Sequence, residues 1–243
     1  MGIDPKKDRD SAIALSVLLE NEDRIRSLFE KARSVFEDRL VVIFGAGPSL
    51  ASDIEGLSDT LERKPAVVAA DGAADALRER DVRFDAVVSD LDSCSEDLLR
   101  RTSEEHLLFV HAHGDNLNLV ESIVPKLGPN VVGTTQVRPF GNLTNFGGFT
   151  DGDRACFIAA HFRPKVIVIS GMDFGPEEGE YSRNRYSGSK NAMRDRKLDW
   201  GKKSIGLLIQ MNPNTKFWNV TRFGLEIDGA PKVSYERLAR ELS

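Results

Sequence analysis

Three aspartates stand where two apolar runs end: Asp71 after Ala66-Val-Val-Ala-Ala70, and Asp90 and Asp92 after Asp85-Ala-Val-Val-Ser89. Carboxylates at i and i+2 on an extended segment point to one side. One from a neighbouring strand, ~4.8 Å away, would complete an oxygen-rich pocket. Hard Mg²⁺ takes such ligands, keeps several waters and adds phosphate oxygens. Asp92 or Ser93 also suits the N-cap of a helix beginning near Glu96, but capping leaves Asp90 without a role. Gly72 and Ser93, beside these acids, are candidates for phosphate contact.

A second feature is Gly45-Ala-Gly47-Pro48-Ser49, which follows the run Leu40–Phe44. A glycine turn between strand and helix lets backbone N–H groups approach a phosphate, and the helix start adds partial positive charge. Leu50 stands where a dinucleotide fingerprint needs its third glycine, and no Gly-Lys-Ser/Thr follows as in a P-loop. A tight turn with Ser49 as N-cap is the plainer alternative.

Further along come His111-Ala-His113-Gly114-Asp115-Asn116. The two histidines share a face, so a transition metal is conceivable, but with no cysteine or third histidine nearby hydrogen-bonded structural groups are the plainer reading. Asp115 suits a further carboxylate beside the magnesium ligands, a proton acceptor, or a helix N-cap. The loop from Pro139 to Asp153 is rich in Gly, Asn and Phe. Asn116, Asn142 and Asn145 could read a ring bearing donors and acceptors, with Phe146 stacked on its face and Thr150 and Asp151 at the helix start. The segment 183–203 holds eight basic residues, Lys190, Arg194 and Lys197 among them, against two acids. Such charge suits a triphosphate, and Ser187, Gly188 and Ser189 would let the segment act as a lid. A solvated helix face is the alternative.

These residues need a frame that brings strand ends together. Short β-branched runs at 40–44, 66–70, 85–89, 106–110, 130–135 and 165–170 are apolar on both faces, as buried parallel strands are. Helical patterns between most of them predict an α/β fold. Its doubly wound, mostly parallel sheet is flanked by helices, with ligands at the carboxyl ends of the strands. Ser11 to Asp38 reads as one long amphipathic helix before the sheet. Residues 1–38 thus form a helical extension and 39–243 the catalytic domain. The helix could pack on its own sheet or on a second copy, as a homo-oligomer. After Ser170 the pattern loosens into a loop, a basic helix, a strand near 217–220 and a terminal helix.

Composition narrows the classes. The chain has 243 residues, 40% of them hydrophobic, enough for one large core. Net charge is −5, which speaks against nucleic acid as a partner. Cys94 and Cys156 lie far apart and suggest a reducing compartment. No apolar run approaches the about 20 residues of a membrane span, so a cytoplasmic protein is expected. A dinucleotide-dependent oxidoreductase would use Gly45, Gly47 and Asp71 but leaves Asp90 and Asp92 unexplained. A non-catalytic nucleotide-binding module would not need all three acids.

The ordered set Gly-Ala-Gly-Pro-Ser-Leu (45–50), Ala-Asp-Gly-Ala (70–73), Ser-Asp-Leu-Asp-Ser (89–93), His-Ala-His-Gly-Asp-Asn (111–116), Gly-Thr-Thr-Gln (133–136), Phe-Thr-Asp-Gly-Asp (149–153) and Gly-Met-Asp-Phe (171–174) resembles the archaeal 6-hydroxymethyl-7,8-dihydropterin pyrophosphokinases. It is similar, more distantly, to the catalytic domain of thiamin pyrophosphokinases. The resemblance implies diphosphate transfer from ATP to the hydroxymethyl group of a reduced pterin, with AMP released and Mg²⁺ as cofactor. It implies Asp71, Asp90 and Asp92 as magnesium and diphosphate ligands, with Asp115 and Asp151 weaker candidates. The thiamin enzymes' Asp-Lys-Asp motif is absent here, Gly114-Asp115-Asn116 standing nearest, and no β-sandwich pattern follows Ser170. Related domains also occur in larger bacterial proteins linked to flagellin glycosylation.

Overall fold

The computed structural model describes residues 4–60, 64–182 and 191–242. Seven strands form one sheet in the order β5-β4-β3-β2-β1-β6-β7. They are β1 (Leu40–Phe44), β2 (Ala66–Ala70), β3 (Ala86–Ser89), β4 (Leu107–Ala112), β5 (Val131–Thr135), β6 (Val166–Ser170) and β7 (Lys216–Asn219). Every neighbouring pair is parallel. The mostly parallel sheet expected from the sequence is therefore wholly parallel, and the strand near 217–220 joins it at the edge beside β6.

Helices cover both faces. On one lie α1 (Pro5–Leu18), α3 (Leu50–Thr60), α4 (Ala73–Glu79), α5 (Glu96–Glu105), α6 (Leu117–Ile123) and, at the end of the chain, α9 (Tyr235–Leu242). On the other lie α2 (Glu22–Phe36), α7 (Asp151–His161) and α8 (Asn191–Met211). Strand residues alternate between the two cores: Val42 and Phe44 face the first, Val41 and Ile43 the second. This two-sided burial is why the strands read as continuous apolar runs.

The single long helix expected over 11–38 is two helices. Asn21 ends the first by capping the second, its side chain accepting from the Arg24 N–H at 3.0 Å. The break has a packing reason. Ala12, Leu15 and Leu19 are buried on one face of the sheet, and Leu28, Ala32 and Phe36 on the other. A straight rod cannot reach both faces, and Asn is among the residues that best start a new helix. Both helices thus pack on their own sheet.

The sheet is built outward from β1, leftward through β2 to β5 and then back to β6 on its other side. The order reverses between β1 and β6, where open α/β sheets place their ligand crevice. Three of the six non-glycine residues with left-handed backbone among the described residues lie near this edge: Asp71 (φ 48), Leu91 (φ 74) and Phe174 (φ 54). Such conformations cost energy and persist where surroundings fix them, often at ligand sites.

Candidate active site

Asp71 is the first residue past β2. Its N–H donates to the Val88 carbonyl at 2.7 Å, and its carboxylate accepts from the Ser89 hydroxyl at 2.8 Å. Ser89 ends β3, and its hydroxyl oxygen also accepts from the Leu91 N–H at 2.9 Å. Leu91 is buried in the core below, and its left-handed turn replaces the extended segment read from the sequence. Asp90 and Asp92 flank it and still reach the same side. One carboxylate oxygen from each of Asp71, Asp90 and Asp92 lies within 4.8 Å of the others. Ser93 donates to Asp92 at 2.6 Å.

His113, past the end of β4, meets this group. Its Nδ1 accepts from the Asp115 N–H at 3.3 Å, so Nε2 carries the ring proton and donates to Asp90 at 3.1 Å. Asp151, at the start of α7, joins from the other side. It is held there by a capping box in which Thr150 and Asp153 bond each other's backbone.

The electrostatics are those of crowded carboxylates. Burial first, and then the charge of Asp90, push Asp71 up to about 7. Burial, Asp90 and Asp71 together hold Asp151 well above the usual carboxylate range. Burial also pushes Asp90 upward, but the hydrogen bond from His113, with that from the Asp92 N–H, outweighs it and leaves Asp90 below its ordinary value. Arg154, one turn into α7, is buried near Asp151, Asp153 and Asp90. A divalent cation would relieve the repulsion, and carboxylate oxygens are the donors a hard cation takes. Among the described residues this is the group of metal-capable side chains that gathers, and it contains no histidine.

A cavity of about 180 Å³ opens beside the cluster, between the ends of β1, β2 and β6. Asp71, Ser93, Thr150 and Asp151 line one side, Gly45 to Pro48 and Gly171 to Phe174 another. The glycine turn serves this wall differently from the sequence reading. Its donors are engaged inside the protein: Gly45 N–H with the Ser170 carbonyl (2.9 Å), Gly47 N–H with the Gly171 carbonyl (2.8 Å) and Ser49 N–H with Asp173 (3.1 Å). The anion at the start of α3 is thus the protein's own Asp173, which also accepts from the Ser49 hydroxyl. The glycines permit close approach: a Cβ on Gly47 would lie 2.2 Å from the Asp173 carboxylate and 2.6 Å from the Gly171 carbonyl. Gly72 is similar, a Cβ there meeting the Tyr181 carbonyl at 2.0 Å.

The other expected residues divide. Arg194 lines the cavity but donates to the carbonyls of Pro176 (2.8 Å) and Glu177 (2.6 Å). Lys197 is exposed on α8, Lys190 lies outside the described residues, and so do Ser187, Gly188 and Ser189 of the expected lid. Asp115 is exposed and apart from the cluster. Asn116 is buried and spends its amide within the protein. Asn142 donates to the Leu19 carbonyl (2.9 Å) and Asn145 to that of Val137 (3.3 Å). Phe146 packs in an aromatic cluster with Phe29, Phe109, His161 and Phe162. His111 is buried against Thr134 at 3.0 Å, and burial, then the charge of Arg154, hold its pKa well down. Sequence reasoning missed Asp173 and the His113–Asp90 bond. Their motifs were visible, but nothing local shows which distant group each one meets.

Residues 16–179 match the family described as 6-hydroxymethylpterin diphosphokinase MptE-like. The chain belongs to this family. Similar proteins include the 6-hydroxymethyl-7,8-dihydropterin pyrophosphokinase of Methanocaldococcus jannaschii, 43% identical over 189 residues, covering 75% of this chain and 77% of that protein. The proteins of the same name from Methanothermobacter thermautotrophicus and Pyrococcus furiosus are 42% and 40% identical, each over 75% of this chain and 76% of the other. Among solved structures, the MAf glycosyltransferase of Magnetospirillum magneticum AMB-1 superposes with a TM-score of 0.57 at 16% identity. It matches 83% of this chain but 34% of its own length, and shares the fold. The family's matched span ends at Gly179, so it takes in the acid cluster, His113, Asp151 and Asp173.

Proposed function

We propose that this protein transfers the terminal diphosphate of ATP to the hydroxymethyl oxygen of 6-hydroxymethyl-7,8-dihydropterin, releasing AMP, with Mg²⁺ held by Asp71, Asp90 and Asp92. The observation that supports it most is the convergence of those carboxylates at the strand ends of a chain about 40% identical to enzymes named for that reaction. When bound, the cation would offset phosphate charge and the charge that develops on transfer.

The protein's own groups do the rest. Ser89 and Ser93 fix Asp71 and Asp92, and His113 orients Asp90. The hydroxyl oxygen attacks the β-phosphorus, the bond from that phosphorus to the α,β-bridging oxygen breaks, and AMP leaves. The hydroxyl proton passes to a carboxylate. Asp151 lines the cavity and Asp115 does not, which favours Asp151 for this role. Gly45, Gly47 and Gly72 shape the wall, with Ser49 held by Asp173 behind it. Arg194, Lys197 and Lys190 supply positive charge from the segment before and within α8, and Arg194 would exchange its carbonyl partners for phosphate oxygens. Thr150 sets the start of α7. Asn116, Asn142, Asn145 and Phe146 act by holding the loops that enclose the substrates.

The test is product identity after incubation with ATP, Mg²⁺ and the dihydropterin. AMP that appears only with the pterin present is expected. ADP would mean a single phosphoryl transfer, and AMP formed equally well with thiamin would overturn the pterin as the specific acceptor.

A further inference from the structure

Asn116 is 2% exposed, yet all four hydrogen-bonding positions of its amide are filled. Its Oδ1 accepts from the Ser11 hydroxyl and from the His113 N–H, both at 3.0 Å. Its Nδ2 donates to the carbonyls of Asp90 at 2.8 Å and His111 at 2.7 Å. Two carbonyls on one side and two donors on the other fix which way the amide points. One side chain thus ties the end of β3, the end of β4 and helix α1. His113, oriented through its own N–H, closes the loop with Nε2–H on the Asp90 carboxylate at 3.1 Å.

Helix α1 is seated on this knot at two more points. Asp8, 5% exposed, accepts from the Gly114 N–H at 2.7 Å and from the Gln136 amide at 2.8 Å. The contact is close enough that a Cβ on Gly114 would lie 2.7 Å from that of Lys7. Buried carboxylates and hydroxyls are costly unless bonded, so these are strong constraints on where α1 sits and how the 111–116 turn is held. Asp8 and Ser11 both precede residue 16, where the family match begins.

We infer that α1 is a working part of the metal site: Ser11 and Asp8 lock Asn116 and the 111–116 turn, and through them set the position of His113 and Asp90. Asn116, Ser11 and Asp8 are positioning residues. They touch no substrate and act on how well Asp90 is placed to hold the cation. The inference rests on the proposed metal role of Asp90.

Position 11 permits a clean test. Ser11→Thr keeps the hydroxyl, while Ser11→Val has the shape of Thr without it. The probe is Mn²⁺ binding to the full chain without nucleotide, read from the electron paramagnetic resonance signal of free Mn²⁺, with Asp90→Asn as control. Ser11→Val is expected to weaken Mn²⁺ binding about three- to tenfold, and Asn116→Ala about tenfold or more, because losing a group that orients a metal ligand usually costs that much. The Mg²⁺ concentration for half-maximal turnover should rise by the same factors while the pterin KM stays put. Ser11→Thr should stay near wild type. Ser11→Ala, measured alongside, guards against a poorly packed Val. If Asp90→Asn loses Mn²⁺ but Ser11→Val and Ser11→Ala match wild type, the role of α1 is refuted and the metal site stands. If Asp90→Asn binds Mn²⁺ as wild type does, the metal site itself is wrong and this inference falls with it.

Discussion

At the scale of single residues, the site is a set of charges held against their preference. Asp71 and Asp151 are pushed toward the neutral form by burial and by their neighbours, while His113 holds Asp90 charged. Removing one ligand charge should therefore act on cation binding more than on folding. Asp92→Asn is expected to lower kcat/KM at least about a hundredfold at saturating Mg²⁺, about 2.7 kcal/mol of transition-state stabilisation, with urea stability unchanged or raised. Steady-state kinetics beside urea melts would show this, and near-normal turnover would remove Asp92 from the site. Asp53 makes a second residue-level case, away from the chemistry. It is buried at the first turn of α3, accepts from the N–H groups of Gly171 (2.8 Å) and Arg222 (3.2 Å), and is pushed up to about 6, mainly by burial. Its folded pKa lies above its unfolded one, so the folded state binds the proton more tightly. Its contribution is then greatest below about pH 4 and falls as pH rises to about 6, by up to roughly 3 kcal/mol. Wild type should lose stability relative to Asp53→Asn across that window as pH rises. A flat difference would contradict the assignment. At this scale the sequence marked out Asp71, Asp90 and Asp92 by their place at strand ends, and the fold brings their carboxylates together. It did not show Asp173 on Ser49, since those residues are 124 positions apart and meet only when β1 and β6 pair.

At the scale of elements, the strands were legible and the helix breaks less so. Each run of Val, Ile and Ala became a strand within a residue or two of its expected bounds, because burial on both faces leaves no polar position to blur the edge. The N-terminal 28 residues from Ser11 to Asp38 read as one helix because apolar spacing continues across Leu19 to Asn21. The side chain of Asn21 competes for the Arg24 N–H and wins, since the two halves have different faces of the sheet to cover. Asn21→Ala should cost about 1 kcal/mol of stability, the usual loss for a missing N-cap, and chemical denaturation would measure it. No loss would mean that packing alone sets the break. The Gly/Asn/Phe loop was legible as a long connection into α7 but not in its details. Phe146 turns into an aromatic cluster, a choice decided by Phe29 on α2, Phe109 on β4 and Phe162 at the end of α7.

At the scale of the molecule, a wholly parallel seven-stranded sheet wound outward from β1 delivers its loops to one edge, and the three clustered acids, His113 and the cavity lie there. No helix among the described residues is long and apolar enough to cross a membrane. In the proposed reaction the diphosphate of ATP ends on the pterin's hydroxymethyl oxygen. The most direct measurement is phosphorus NMR of the purified product. Two mutually coupled phosphorus signals are expected, one of them also split by the two methylene protons of the pterin. A single phosphorus signal split by those protons would show a monophosphate ester and contradict it.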